Sequence, residues 1–200
     1  MDWPPTIWRE LMQQKMQRKQ TMTFGVAVLL ATLAATPLLA QTQPAQSDPM
    51  ITAVKMGASV VRLSLTKAAA QMSEEDYAFK ATPDVRSFGQ ILAHVADNNY
   101  MNCAVVKGEA PPVRDVEKTR KTRADIQRAL SESFAYCDGA YAVMTDDKAK
   151  AMINLGGMQM PTLALLMYLT AHHSLHYGNV ITYMRLRGQV PSSMQPPPLE

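Results

Sequence analysis

The stretch from Pro161 to Arg187, PTLALLMYLTAHHSLHYGNVITYMRLR, constrains this chain most, because its length and periodicity fit one long helix. Pro161 suits the first helical turn, where a missing N–H costs nothing. Gly188 suits the position just past the end, and Pro191 blocks continuation. Leu165, Leu169, His172, His176, Asn179 and Tyr183 recur at alternating spacings of four and three, the buried stripe of a bundle helix. His172 and His176 thus stand in line with leucines that must be buried. At i, i+4 their rings are neighbours that can share a metal ion. The competing reading is two core histidines satisfied by hydrogen bonds. His173 falls off the stripe, on a flank or at the rim.

A helix with one apolar face needs partners, and three more such patterns precede it. Asp48-Pro49 reads as an N-cap and an N1 proline, followed by Ile51, Val54, Ala58, Val61, Leu65, Ala68 and Met72 at helical spacing. Ser73 to Asp76 begins a connection with one helical turn. Ser87 and Gln90 form a capping box that opens a second helix, with Phe88, Ile91, Val95, Asn98, Asn102 and Val105 on its stripe and Gly108 at its end. Glu109 to Arg120, with two prolines, is long enough for a crossover rather than a tight hairpin. Thr122 and Asp125 cap a third helix whose stripe is Ile126, Leu130, Phe134, Cys137, Tyr141 and Met144. Ile153 to Met160 alternates about Gly156-Gly157, as a small hairpin or a loop. No strand set is large enough for a sheet, so the expected fold is all-α, a four-helix bundle over residues 50–191.

The front of the chain is of another kind. A short basic stretch, Lys15 to Lys19, precedes the uncharged apolar run Thr23 to Ala40, and the sequence turns polar from Gln41. This is the pattern of a signal peptide, with cleavage expected after Ala40 and the protein periplasmic or secreted. The alternative is an uncleaved anchor, since the run approaches spanning length. Residues 1–15 resemble neither targeting signal nor fold, and Met16 or Met22 is the expected start. Residues 1–40 are thus an extension plus leader, 41–49 a linker and 192–200 a disordered tail. Four of the 20 basic and two of the 17 acidic residues lie in the first forty positions, leaving 16 and 15 beyond them. That near-balance gives no case for nucleic-acid binding. In an exported protein Cys103 and Cys137 are candidates for a disulfide, provided their helices run parallel; two buried free thiols are the alternative.

Within the second helix His94 lies at the edge of the buried face, followed by the polar cluster Asp97, Asn98 and Asn99. Such a cluster is costly if buried without partners, which marks it as lining a site. His94, His172 and His176 together make a three-imidazole set with open positions for water or substrate. Imidazole suits several divalent transition metals; zinc or nickel is favoured, with iron or manganese as further candidates. His173 stands where the zinc-protease helix requires a glutamate, which disfavours that mechanism.

The segments FGQILAHVAD (Phe88 to Asp97) and HHSLHYGNVITYMRLRGQVP (His172 to Pro191) resemble the two metal-binding helices of DinB-like proteins. The resemblance implies an up-down-down-up bundle with a long crossover between helices two and three. It also implies a divalent metal on His94, His172 and His176, and a homodimer. Asn179 stands where many members carry Gln, and Tyr177 where many carry Arg. Some members of the family are thiol-dependent transferases. The expected function is a metal-dependent (thiol) transferase or hydrolase acting on a small molecule; the alternative is a non-catalytic periplasmic protein that binds a metal or small molecule. Asp97, Asn98, His173, Asn179 and Tyr183 are the candidates for supporting the ligands or handling protons.

Overall fold

The computed structural model describes residues 48–191, so the leader and the tail of the sequence lie outside the described residues. Four long helices carry the fold: α1 (Pro49–Gln71), α3 (Phe88–Lys107), α5 (Arg123–Ala142) and α7 (Thr162–Leu186). One-turn helices α2 (Glu74–Ala78), α4 (Val116–Thr119) and α6 (Asp146–Ala149) punctuate the connections. An antiparallel hairpin of β1 (Met152–Leu155) and β2 (Met158–Pro161) leads into α7. Gly156 and Gly157 turn it with positive φ, so the alternating stretch is a hairpin and not a loop. Pro161 consequently ends β2 and caps α7 from outside, one position before the helical turn expected of it.

The pairing of the long helices follows from cross-links at matched positions. The carboxamide of Asn99 donates to Ser133 Oγ at 3.0 Å, and one turn further along both helices Cys103 and Cys137 form a disulfide with Cα atoms 5.3 Å apart. Helices α3 and α5 therefore run in the same direction. Arg62 pairs with Asp138 and Gln127 donates to Ala69 O, so α1 and α5 run oppositely. Tyr183, late in α7, bonds to Arg86 just ahead of α3, so α3 and α7 are also opposed. The core between them contains Leu65, Phe88, Leu92, Val95, Leu130, Val180 and Met184, all buried.

The helix ends show where local signals hold. Ser87 and Gln90 form the reciprocal capping box, as do Ser73 and Asp76 at α2. Thr122 accepts from Asp125 N at α5. Asp48 does not cap α1 with its side chain. Instead Asp146 accepts from Met50 N and Ile51 N, while Asp48 accepts from Asp146 N at 2.7 Å. The first turn of α1 is thus capped from across the chain, tying it to α6.

Candidate metal centre

Helix α7 brings His172 and His176 to one side, and α3 brings His94 to meet them. His172 Nε2 lies 3.3 Å from His94 Nε2 and 3.1 Å from His176 Nε2. One ligand atom from each ring falls within 4.8 Å of the others, the one such group of histidine, cysteine and carboxylate residues among the described residues. Two nitrogens bound about 2.1 Å from one ion, at angles between octahedral and tetrahedral, stand roughly 3.0–3.4 Å apart. Both measured spacings fall in that range, so the three imidazoles fit a divalent transition metal.

Their electrostatics favour the same use. Burial pushes the pKa of all three downward, His176 to about 4. The neighbouring histidines add to the depression at His172 and His176, and the Arg86 guanidinium adds to it at all three. Near neutral pH the rings are uncharged, with a lone pair available for coordination.

The surroundings of His94 contain a residue that the pattern of the sequence did not mark. Glu117 Oε2 lies 3.6 Å from His94 Nδ1, and its other oxygen accepts from Arg86 Nε at 2.9 Å. Glu117 sits on α4, inside the segment expected to be only a linker. Asp97 explains how it is held there. Its two carboxylate oxygens accept from Val116 N at 2.8 Å and Glu117 N at 2.9 Å, capping α4. Asp115 opens that helix in the left-handed region, at φ 58. Asp97 therefore fixes the segment that presents Glu117, and both of its oxygens are engaged by the α4 backbone. The Nδ1 atoms of His172 and His176 are buried and make no hydrogen bond.

The remaining candidates separate. Tyr183 donates to Arg86 O at 2.7 Å, and its ring packs edge-on against Phe79. It lines a cleft of about 490 Å³ with Asp84, Arg86, Glu117, His176 and Asn179. Asn179 is exposed rather than part of the buried stripe. Asn98 is buried, with its side-chain oxygen unpartnered. Asn99 is spent on Ser133.

His173 is not at the rim. Only 3% of its surface is exposed, and its ring meets Phe134 edge-on, 5.7 Å between centres. His172, expected on the buried stripe, is half-buried. A stripe drawn at spacings of four and three has a period of 3.5 and drifts about 20° per heptad around a 3.6-residue helix. The buried face of α7 also includes Leu166, Val180 and Met184, because the helix packs against both α1 and α3. That wider face takes in His173 and leaves His172 at its border.

The profile of the DinB superfamily matches residues 59–180. A DinB-like protein from Bacillus cereus superposes with a TM-score of 0.62 at 16% identity, covering 75% of this chain and 97% of its own. A DinB-like protein from Bacillus subtilis gives 0.58 at 19% identity, covering 69% and 93%. A mycothiol-dependent maleylpyruvate isomerase gives 0.51 at 12% identity, covering 65% of this chain and 60% of its own. No protein of curated function matches by sequence. With more than half of its length matched to the family profile, and the all-α fold shared with these structures, the chain belongs to the DinB superfamily.

Proposed function

We propose that the protein binds a divalent transition metal through His94, His172 and His176 and works as a metal-dependent transferase or hydrolase outside the cytoplasm. The observation that carries this reading is the convergence of three uncharged imidazoles with ligand-like nitrogen spacings. The likeness to a mycothiol-dependent isomerase supports transfer chemistry that uses a thiol. A metal there would lower the pKa of a bound thiol or water and so supply a nucleophile near neutral pH. The chain's own residues do the rest. Glu117 orients His94, and Arg86, paired with Glu117, holds that carboxylate at the cleft. Tyr183 holds Arg86 in place through its backbone carbonyl.

One observation favours a second reading, a binding protein without turnover. The carboxylates nearest the triad are already engaged, Glu117 with Arg86 and Asp97 with the α4 backbone, which leaves no free general base beside it.

Elemental analysis of the purified protein beside a His172→Ala/His176→Ala double variant tests the common core of both readings. About one equivalent of transition metal per chain is expected in the wild type and none in the variant. A wild type that neither carries nor takes up metal would overturn both. Thiol-transfer and hydrolase assays on the loaded protein then separate turnover from binding.

A further inference from the structure

Helix α7 carries no Asp, Glu, Lys or Arg from Thr162 to Met184, although one side of it faces solvent. Its outer stripe, Met167, Ala171, Ser174 and Gly178, recurs at spacings of four, three and four, with Leu175 at the edge. Helix α1 repeats the pattern with Ala53, Met56, Val60 and Leu63, all exposed and all uncharged. Met56, Val60, Leu63, Met167 and Leu175 each keep more than half of their surface open to solvent. The Ser174 hydroxyl donates to Thr170 O at 3.0 Å, so even that polar group is turned to its own helix.

The two stripes form one surface. Gly57 of α1 lies against Thr170 of α7, where an added Cβ would come 3.4 Å from the Thr170 methyl. The helices run in the same direction, since α1 opposes α5, α5 runs with α3 and α3 opposes α7. Counted at about 100° per residue from that contact, Val61 and Leu65 of α1 and Leu169 and Val180 of α7 turn inward, where they are buried. Both exposed stripes turn to the opposite, outer side. Helices of 23 and 25 residues are about 35 Å long, and side by side they present a face of roughly 700 Å². A stable interface takes about 800 Å² from each partner, and an apolar patch of such extent is unusual on a monomer.

We propose that the α1/α7 face is the contact surface between two copies of this chain, paired about a twofold axis. A twofold contact sets the same patch against itself, so any charge near the axis meets its own kind. An uncharged face suits that arrangement, and the small residues Ala53, Ala171, Ser174 and Gly178 let the helices approach closely. A lipid surface fits less well, because α7 has no basic residue before Arg185 to hold an anionic headgroup. His172 and His176 lie roughly 130–170° around α7 from the centre of the stripe, so pairing leaves the triad open and stands apart from the function proposed above.

Sedimentation velocity on the purified protein should give twice the chain mass at about 20 μM, well within the range of a specific dimer. Ala171→Glu sets two carboxylates against each other and should weaken pairing by about a hundredfold or more, with the helical circular-dichroism spectrum unchanged. Val143→Glu, at an exposed apolar position on the end of α5, should remain dimeric, as should the His172→Ala/His176→Ala variant. The methionines give a second readout on the unaltered chain. Hydrogen peroxide transfers one oxygen to a thioether, leaving a sulfoxide and water. Met56 and Met167 are 66% and 56% exposed in the single chain, Met101 and Met152 52% and 60%. In the dimer the first pair should oxidise several-fold more slowly than the second by peptide mass spectrometry, and in Ala171→Glu the two pairs should react alike. A wild type that is monomeric overturns the proposal, including one that binds vesicles of phosphatidylethanolamine and phosphatidylglycerol, which would make the face a membrane surface. So does a dimer that survives Ala171→Glu and leaves Met56 and Met167 unprotected, since the copies would then meet elsewhere.

Discussion

At His94 the two ring nitrogens have different neighbours. Nε2 faces His172, while Nδ1 lies 3.6 Å from Glu117 Oε2 and 3.5 Å from Arg86 Nη2. With a metal on Nε2 the neutral ring carries its proton on Nδ1, and of these two neighbours only the Glu117 carboxylate can accept it. The Glu117→Gln variant should therefore bind metal about tenfold more weakly in a competition titration against a chelator, with the melting temperature of the metal-free protein unchanged. Unchanged affinity would show that Glu117 serves only its ion pair with Arg86. Nothing in the sequence marked Glu117, since a glutamate in a charged linker looks like solvated surface. Only the capping of α4 by Asp97 brings it to His94. Asp97 stood out as part of a polar cluster read as lining a site; in the structure it is half-buried and its partners are the backbone N–H groups of Val116 and Glu117. The triad was legible because histidines at i, i+4 share a helix face whatever else surrounds them, whereas the burial of His173 depended on how α7 packs on its neighbours.

The four long helices were legible because each repeats its apolar residues over several turns, and Ser87, Thr122 and Gly108 punctuate them locally. What lay outside that reading is what joins elements far apart in sequence, such as the cap that Asp146 gives α1 and the clasp that ties the end of α7 to α2. In that clasp buried Asp76 accepts from Ser73 N at 3.1 Å, Ser73 Oγ at 2.7 Å and Arg187 Nε at 2.5 Å. The Ser73 hydroxyl holds its carboxyl below the usual 3.8, burial opposes this, and Arg187 lowers it further. Because the folded group is the stronger acid, its stabilisation is complete above about pH 4 and is lost as the pH falls through the folded value. Asp76→Asn should cost about 1–2 kcal/mol near pH 7, or roughly 3–6 °C in melting temperature. The gap to the wild type should close as melting is measured at increasingly acid pH. A gap that persists undiminished below about pH 3 would mean that the clasp acts through shape and not through the carboxylate's charge.

Compartment, covalent chemistry and function are coupled at the scale of the whole molecule. Cys103 and Cys137 join the parallel helices α3 and α5 across 34 residues of sequence. By loop-closure entropy such a link stabilises by about 3–4 kcal/mol, but only where thiols are kept oxidised. The sequence offers a route to such a place: a basic stretch, an apolar run and a polar exit at Gln41. Among the described residues no helix is long and apolar enough to cross a membrane. We therefore predict that fractionated cells yield, outside the cytoplasm, a chain whose first residue is Gln41 and whose two cysteines resist alkylation until reduced. N-terminal sequencing and intact mass before and after reduction read both features from one sample. A chain that keeps residues 23–40 and has two alkylatable thiols would place the protein in a reducing compartment. A low-molecular-weight thiol cosubstrate would then be plentiful beside the triad and the disulfide would make no contribution to stability. Release at Gln41 with an intact disulfide reverses both consequences, because reduced thiols are scarce there, and shifts the weight from thiol transfer toward hydrolysis or ligand binding.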